Sequence, residues 1–170
     1  IFGGDAGDLV TAAFSGGVAH PPGYPIYTFL GYVASHTVSF ESVAWRVGLL
    51  SSIPLTIAMT MLFCYISLVS GSFVAGIVAT LTLGTSYIYW LYAVVPEVFG
   101  LHILFVVSQL LLLELWRRSH NKWLGIAFVA LFILSLSHHH IILFMVPSYA
   151  YLLSKQKKDV VVFARTNAKK

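Results

Sequence analysis

Polar and apolar positions in this chain separate into long blocks rather than alternating. The first apolar block, Val47 to Val69, has only Ser51, Ser52, Thr56, Thr60 and Ser67 as polar interruptions, and Arg46 stands at its start. A bilayer core about 30 Å thick is crossed by about 20 helical residues, so residues 47–69 predict a transmembrane helix, with Pro54 kinking it near one end. A tight turn at Ser70 to Ser72 leads to a second predicted span, residues 73–95. There Ser72, Gly76, Thr80 and Gly84 recur every fourth residue, a face of small side chains that lets another helix approach closely. The aromatic group Tyr87, Tyr89, Trp90 and Tyr92 marks the approach to the far interface.

Pro96-Glu97 breaks the apolar pattern before a third span, residues 98–116, and the polar loop Arg117 to Lys122. Residues 123–153 then form one apolar run, interrupted by Ser135, Ser137 and the triplet His138, His139, His140. As a straight helix this run would extend about 46 Å, well beyond a bilayer core. A single crossing would put the basic loop RRSHNK and the tail KQKKD on opposite faces, against the tendency of basic loops to stay cytoplasmic. The preferred reading is a hairpin, residues 123–137 and 141–153, turning at the histidines. Residues 154–170 then form a basic cytoplasmic tail in contact with anionic membrane lipid.

Composition sharpens this picture. The chain is 58% hydrophobic and 9% charged with a mean hydropathy of +0.86, against about 25% charged in soluble domains. The fold class expected is therefore all-α, a polytopic transmembrane helical bundle. The net charge of +4 gathers between and after apolar runs, which indicates membrane topology and no nucleic-acid partner. One cysteine, Cys64, excludes an intrachain disulfide and a CxxC metal site. The absence of an initial methionine and the basic tail suggest a fragment of a longer protein, and no signal-peptide pattern is visible.

Residues 1–46 differ from the rest. Ile1 to Leu30 holds two carboxylates, one histidine, three prolines and six glycines. No continuous apolar stretch spans 1–46, so it predicts a re-entrant or surface loop with one or two short interfacial helices. With the preferred topology, Asp5, Asp8, His20, Glu97, His102 and His138 to His140 converge on one leaflet, and ionisable residues gathered at membrane depth point to function.

Each of these groups has two readings. Asp5 and Asp8, three apart, share a helix face; one could deprotonate a hydroxyl while the other positions a group, or Asp5 is simply an N-cap with Asp8 at N3. The turn His20-Pro21-Pro22-Gly23-Tyr24-Pro25 is stiffened by its prolines; it either aims His20 at a phosphate or sugar or merely joins two helices. Glu97 follows a proline at a helix start, where the helix dipole favours a carboxylate, or it binds an acceptor. Consecutive helical residues diverge by about 100°, so His138, His139 and His140 cannot all ligate one ion from one helix face; sugar or phosphate contact, helix-end capping and, less favoured, metal binding are the readings. Glu114 beside Arg117 is an interfacial ion pair.

The motifs GGDAGDLVTAA, AHPPGYPIYTFLG, SVAWRVGLLSS, VVPEVFGLH and LSLSHHHIILFMVP together resemble a family of multispanning proteins in the GT-C class of glycosyltransferases. That family includes the animal endoplasmic-reticulum protein O-mannosyltransferase acting on receptor ectodomains. The resemblance covers nearly all of Ile1 to Leu153. It implies a polytopic enzyme with a polyprenyl- or dolichyl-phosphate-linked sugar donor, a protein or glycan acceptor, and the catalytic acid in the first external loop. On this sequence the acid corresponds to Asp5, with Asp8 as a second acid. Substrate-binding positions correspond to His20, Pro21, Pro22, Gly23, Glu97 and one of His139 and His140; Tyr24 and His138, beside them in the sequence, complete the candidate substrate-binding set.

The function expected is inverting sugar transfer, with mannose as one candidate, on the external face of a bacterial inner membrane or the lumenal face of the endoplasmic reticulum. No metal ligand set or resident cofactor is assigned, although a divalent metal would be compatible. The competing classes are a transporter or lipid-linked-sugar flippase, in which the same groups form a substrate or proton path, and a non-catalytic membrane subunit.

Overall fold

The computed structural model describes residues 4–154, all of whose regular structure is helical. The basic tail, residues 155–170, lies outside the described residues. Two short helices come first, α1 (Ala6–Ser15) and α2 (Pro25–Thr37), each too short to cross a bilayer. They are followed by α3 (Val43–Ser70), α4 (Phe73–Gly84), α5 (Tyr87–Val94), α6 (Phe99–Ser119) and α7 (Lys122–His138). A returning arm, His140–Ser154, opens with a 3-10 turn over His140–Met145.

Helix α3 is the spine. Its 28 residues would extend about 42 Å; Ser42 starts it by accepting the Trp45 N–H at 3.3 Å, and Gly71, with φ of +67°, ends it in the left-handed region. The helix runs on through Pro54, where the sequence led us to expect a kink. Helices α3 and α6 are long and apolar enough to cross a membrane and pack most extensively against each other. They meet closely at Gly100, where an added Cβ would lie 2.7 Å from the Ser51 carbonyl oxygen.

The second apolar block departs from a single rod. Helices α4 and α5 are bent by 66° at Thr85-Ser86. Ser86 makes the break locally: its hydroxyl donates back to the Leu83 carbonyl at 2.6 Å and accepts the Tyr89 N–H at 3.4 Å, capping the new helix. The Tyr89 hydroxyl donates to the Leu55 carbonyl at 2.6 Å, tying α5 to the middle of α3. The small-residue face packs on α3, with Gly76 against Ser67 and Phe63 and Gly84 against Met59.

The last apolar run breaks at His139, which is extended (φ −155°, ψ 126°). Tyr149 of the returning arm packs edge-on to Phe128 and Phe132 of α7, at 5.3 and 6.1 Å, so the arm folds back along α7. At the basic end of α6, Glu114 is buried and pairs with Arg117 at 2.8 Å and with Arg118. At the opposite end, α1 and α2 cover the starts of α3 and α6 through a core of Leu9, Ala13, Tyr24, Tyr27, Val47 and Val98. Arg46 braces this end: its guanidinium donates to the carbonyls of Ser35, Phe40 and Glu41 at 2.9 to 3.0 Å.

Candidate active site

The site grows from the first described turn. Gly4 has φ of +110°, open to glycine and rarely to other residues, and delivers Asp5 to the N-cap of α1. The Asp5 side chain makes no capping bond there; only its carbonyl serves the helix, accepting the Leu9 N–H at 2.9 Å. Its carboxylate is thus uncommitted to the helix, with 62% of the side chain exposed.

Asp8, at the third position of α1, is committed to His20. One carboxylate oxygen accepts the His20 backbone N–H at 2.9 Å and lies 2.8 Å from the ring Nδ1. These two interactions, the backbone bond foremost, hold the Asp8 carboxyl below its ordinary range. The turn that presents His20 is closed by the Gly23 N–H donating to the His20 carbonyl at 2.8 Å, with a cis Pro21–Pro22 peptide inside it and φ of +91° at Gly23. Pro21 and Pro22 are exposed and shape the turn.

With Nδ1 facing Asp8, the other ring nitrogen of His20 is presented to two groups. Nε2 lies 3.4 Å from an Asp5 carboxylate oxygen and 3.4 Å from the Tyr24 hydroxyl. Burial, reinforced by the charges of Asp5 and Glu97, pushes the Tyr24 phenol up and keeps it protonated. It therefore donates to Nε2 when the ring is neutral, whereas a doubly protonated ring offers Nε2–H to Asp5. The arrangement can pass one proton between Asp5 and His20.

Glu97 forms the facing wall. It precedes α6 by two residues, is 9% exposed, and its carboxylate lies against Gly4. Burial first and the Asp5 charge second push its carboxyl up. The peptide of Glu97 is gripped by Ser51: the hydroxyl accepts the Glu97 N–H at 2.9 Å and donates to the Glu97 carbonyl at 3.1 Å. Sequence reasoning treated Ser51 as a mere polar interruption, and no local signal would have paired it with a residue 46 positions away. The buried Tyr27 phenol close to Glu97, without a hydrogen-bond partner, was missed as well.

The histidine turn closes the far side. Tyr24 stands between the two groups, with its ring 5.3 Å from His20, 5.4 Å from His139 and 6.2 Å from His138. His102, on α6, lies 5.6 Å from His139. His140 is exposed and outside the cluster. The structure therefore brings together Asp5, Asp8, His20, Tyr24, Glu97, His102, His138 and His139, while Pro21, Pro22 and His140 are exposed. Among the described residues, no three His, Cys, Asp or Glu side chains gather as a metal-binding group. An apolar groove of about 360 Å³ lies between α1, the start of α3 and the segment before α6, lined by Ala6, Gly7, Val10, Ala44, Val95 and Pro96.

An all-helical membrane protein with an acid–histidine cluster at one end of its helices is the class that fold and site define. The family described as the protein O-mannosyl-transferase TMEM260 N-terminal domain matches residues 5–161, and the chain belongs to it. Protein O-mannosyl-transferase tmem260 of Dictyostelium discoideum is 32% identical over 169 residues, covering 90% of this chain and 20% of that protein. Protein O-mannosyl-transferase TMEM260 of Mus musculus is 43% identical over 104 residues, covering 61% of this chain and 15% of that protein. The chain thus spans a fifth or less of the length of these relatives. No solved structure matches it.

Proposed function

We propose that this chain carries the catalytic end of a membrane protein O-mannosyltransferase of GT-C type, acting on the external or lumenal face. The donor is mannose linked to a polyprenyl or dolichyl phosphate, and the acceptor is a hydroxyl of a protein. Asp5 removes the hydroxyl proton; the oxygen attacks the anomeric carbon, the bond from that carbon to the phosphate oxygen breaks, and the lipid phosphate leaves with the bonding electrons. A single displacement of this kind inverts the anomeric carbon. His20, oriented by Asp8, exchanges the proton with Asp5, and a histidine of the triplet stabilises the charge that builds on the phosphate.

The observation that carries this reading is the uncommitted Asp5 carboxylate 3.4 Å from His20 Nε2. The names of the relatives support the sugar and the acceptor class, and the apolar groove lined by Ala6 and Gly7 of α1 suits a donor with a hydrocarbon tail. The test is mannose transfer by the purified whole protein from a polyprenyl-phosphate-mannose donor. Asp5→Asn is expected to abolish transfer and leave membrane insertion intact; full activity in that variant would overturn the assignment.

A further inference from the structure

His138, His139 and His140 are adjacent in sequence, yet their ring nitrogens serve different ends. His138 is buried to 1% exposure, and its Nε2 lies 3.1 Å from the Val98 carbonyl oxygen. A carbonyl can only accept, so this nitrogen bears the proton. The ring anchors the end of α7 to the start of α6, immediately beside Glu97.

His139 has the reverse tautomer. Its Nδ1 accepts the Ile141 N–H at 3.2 Å and so caps the returning arm. In a neutral imidazole an accepting Nδ1 leaves the proton on Nε2, which is then an N–H donor. Among the described residues no protein group accepts from that Nε2. The ring is held between Tyr24 and His102, and the positive end of the returning arm's helix dipole begins at the same residue. The Tyr24 ring packs against both His139 and His20, the latter being the residue that contacts Asp5 and Asp8.

We propose that His139, through its Nε2–H, is the hydrogen-bond donor to the phosphate of a lipid-phosphate substrate, with His138 as the anchor that positions it and His140 uninvolved. The inference rests on the transferase reading above for its choice of substrate. It deepens that reading by assigning the phosphate contact to one ring and one nitrogen.

Amide side chains separate the two nitrogens. In His139→Asn the amide oxygen replaces Nδ1 as a helix cap, asparagine being among the best N-caps, while the distal donor is lost. In His139→Gln the amide nitrogen reaches toward the Nε2 position while the cap is lost. The whole protein in detergent would be assayed for mannose transfer against donor concentration. It would also be assayed for thermal stabilisation by polyprenyl phosphate, with polyprenol as the phosphate-free control.

His139→Asn is expected to raise the donor KM about 10- to 100-fold, the usual weight of a hydrogen bond to a charged group. It should also abolish the phosphate-specific stabilisation while leaving the unliganded unfolding temperature in place. His139→Gln should keep the donor KM within a few-fold of wild type, and His140→Asn should match wild type throughout. A wild-type KM and phosphate-specific stabilisation in His139→Asn would overturn the proposal. Phosphate-specific stabilisation that is lost in His139→Asn, in a protein that transfers no mannose, would sustain the phosphate site and sink the transferase reading instead. A wild-type protein that responds equally to polyprenyl phosphate and polyprenol would sink the phosphate site.

Discussion

Ser51 and Glu97 are joined twice: one hydroxyl accepts the peptide N–H of Glu97 and donates to its carbonyl. Both groups lie ahead of α6, beyond the reach of its helical hydrogen bonds. The acid that faces Asp5 is thereby held through its backbone by α3. Ser51→Ala would leave a buried N–H and a buried C=O without partners, at a cost of about 1–3 kcal/mol. Unfolding in detergent should show this loss, and mannose transfer should fall more than stability alone explains because the Glu97 turn becomes free to shift.

Gly100 sits where the backbones of α3 and α6 meet. A Cβ there would lie 2.7 Å from the Ser51 carbonyl oxygen and 2.9 Å from its Cα, and backbone atoms cannot rotate away. Gly100→Ala is therefore expected to destabilise by about 1–3 kcal/mol as an overpacking change. At Gly7 an added Cβ has nothing within 4 Å. Gly7→Ala should keep wild-type thermal stability, and the contrast between the two variants checks the packing.

The carboxyls of Asp8 and Glu97 are displaced in opposite directions, so their effects on stability have opposite pH signs. Asp8 titrates below its unfolded value because of its bonds to His20. Its contribution is present above about pH 4 and is lost as pH falls through the lowered folded value. Asp8→Asn should thus be less stable than wild type at neutral pH, and the two should converge in acid. Glu97 titrates above its unfolded value through burial and the Asp5 charge. The stability linked to its protonated form is present below about pH 4 and is lost as pH rises through the raised folded value. Glu97→Gln should match wild type in acid and gain on it as pH rises. Unfolding midpoints measured across pH check both signs.

Arg46 satisfies three carbonyls between α2 and α3 with one planar guanidinium. A lysine has the charge but a single ammonium in place of that fork. Arg46→Lys should recover only part of the stability lost in Arg46→Ala, and limited proteolysis should cut the 38–42 connection faster in both.

The physics that made the sequence informative also set its limits. Membrane character follows from composition, and the break at the histidines follows from length, since residues 123–153 are too many for one crossing and the chain does turn at His139. The short helices of residues 1–46 follow from their glycines, prolines and missing apolar run. The bend at Thr85-Ser86 was not legible, because a short polar pair in an apolar block is ordinary in a straight membrane helix, and what marks the break is the Ser86 cap together with Tyr89 reaching Leu55.

Which helix faces meet was hidden for a related reason. Lipid is as apolar as a helix–helix interface, so membrane helices need no contrasting stripe to mark the packed side. The sequence by itself determined that this is a helical membrane chain with a polar, glycine- and proline-rich segment at its start, and it singled out Asp5, Asp8, His20, Glu97 and the histidines as candidate site residues. Only the tertiary structure decided that Asp8 is committed to His20 Nδ1 while Asp5 faces the opposite ring nitrogen without capping its helix, that Ser51 holds Glu97, and that His138 and His139 bond the backbone through opposite nitrogens. Those distinctions depend on hydrogen bonds between residues far apart in the chain, and their direction is set by helix rotation and register, which hydrophobic pattern does not encode.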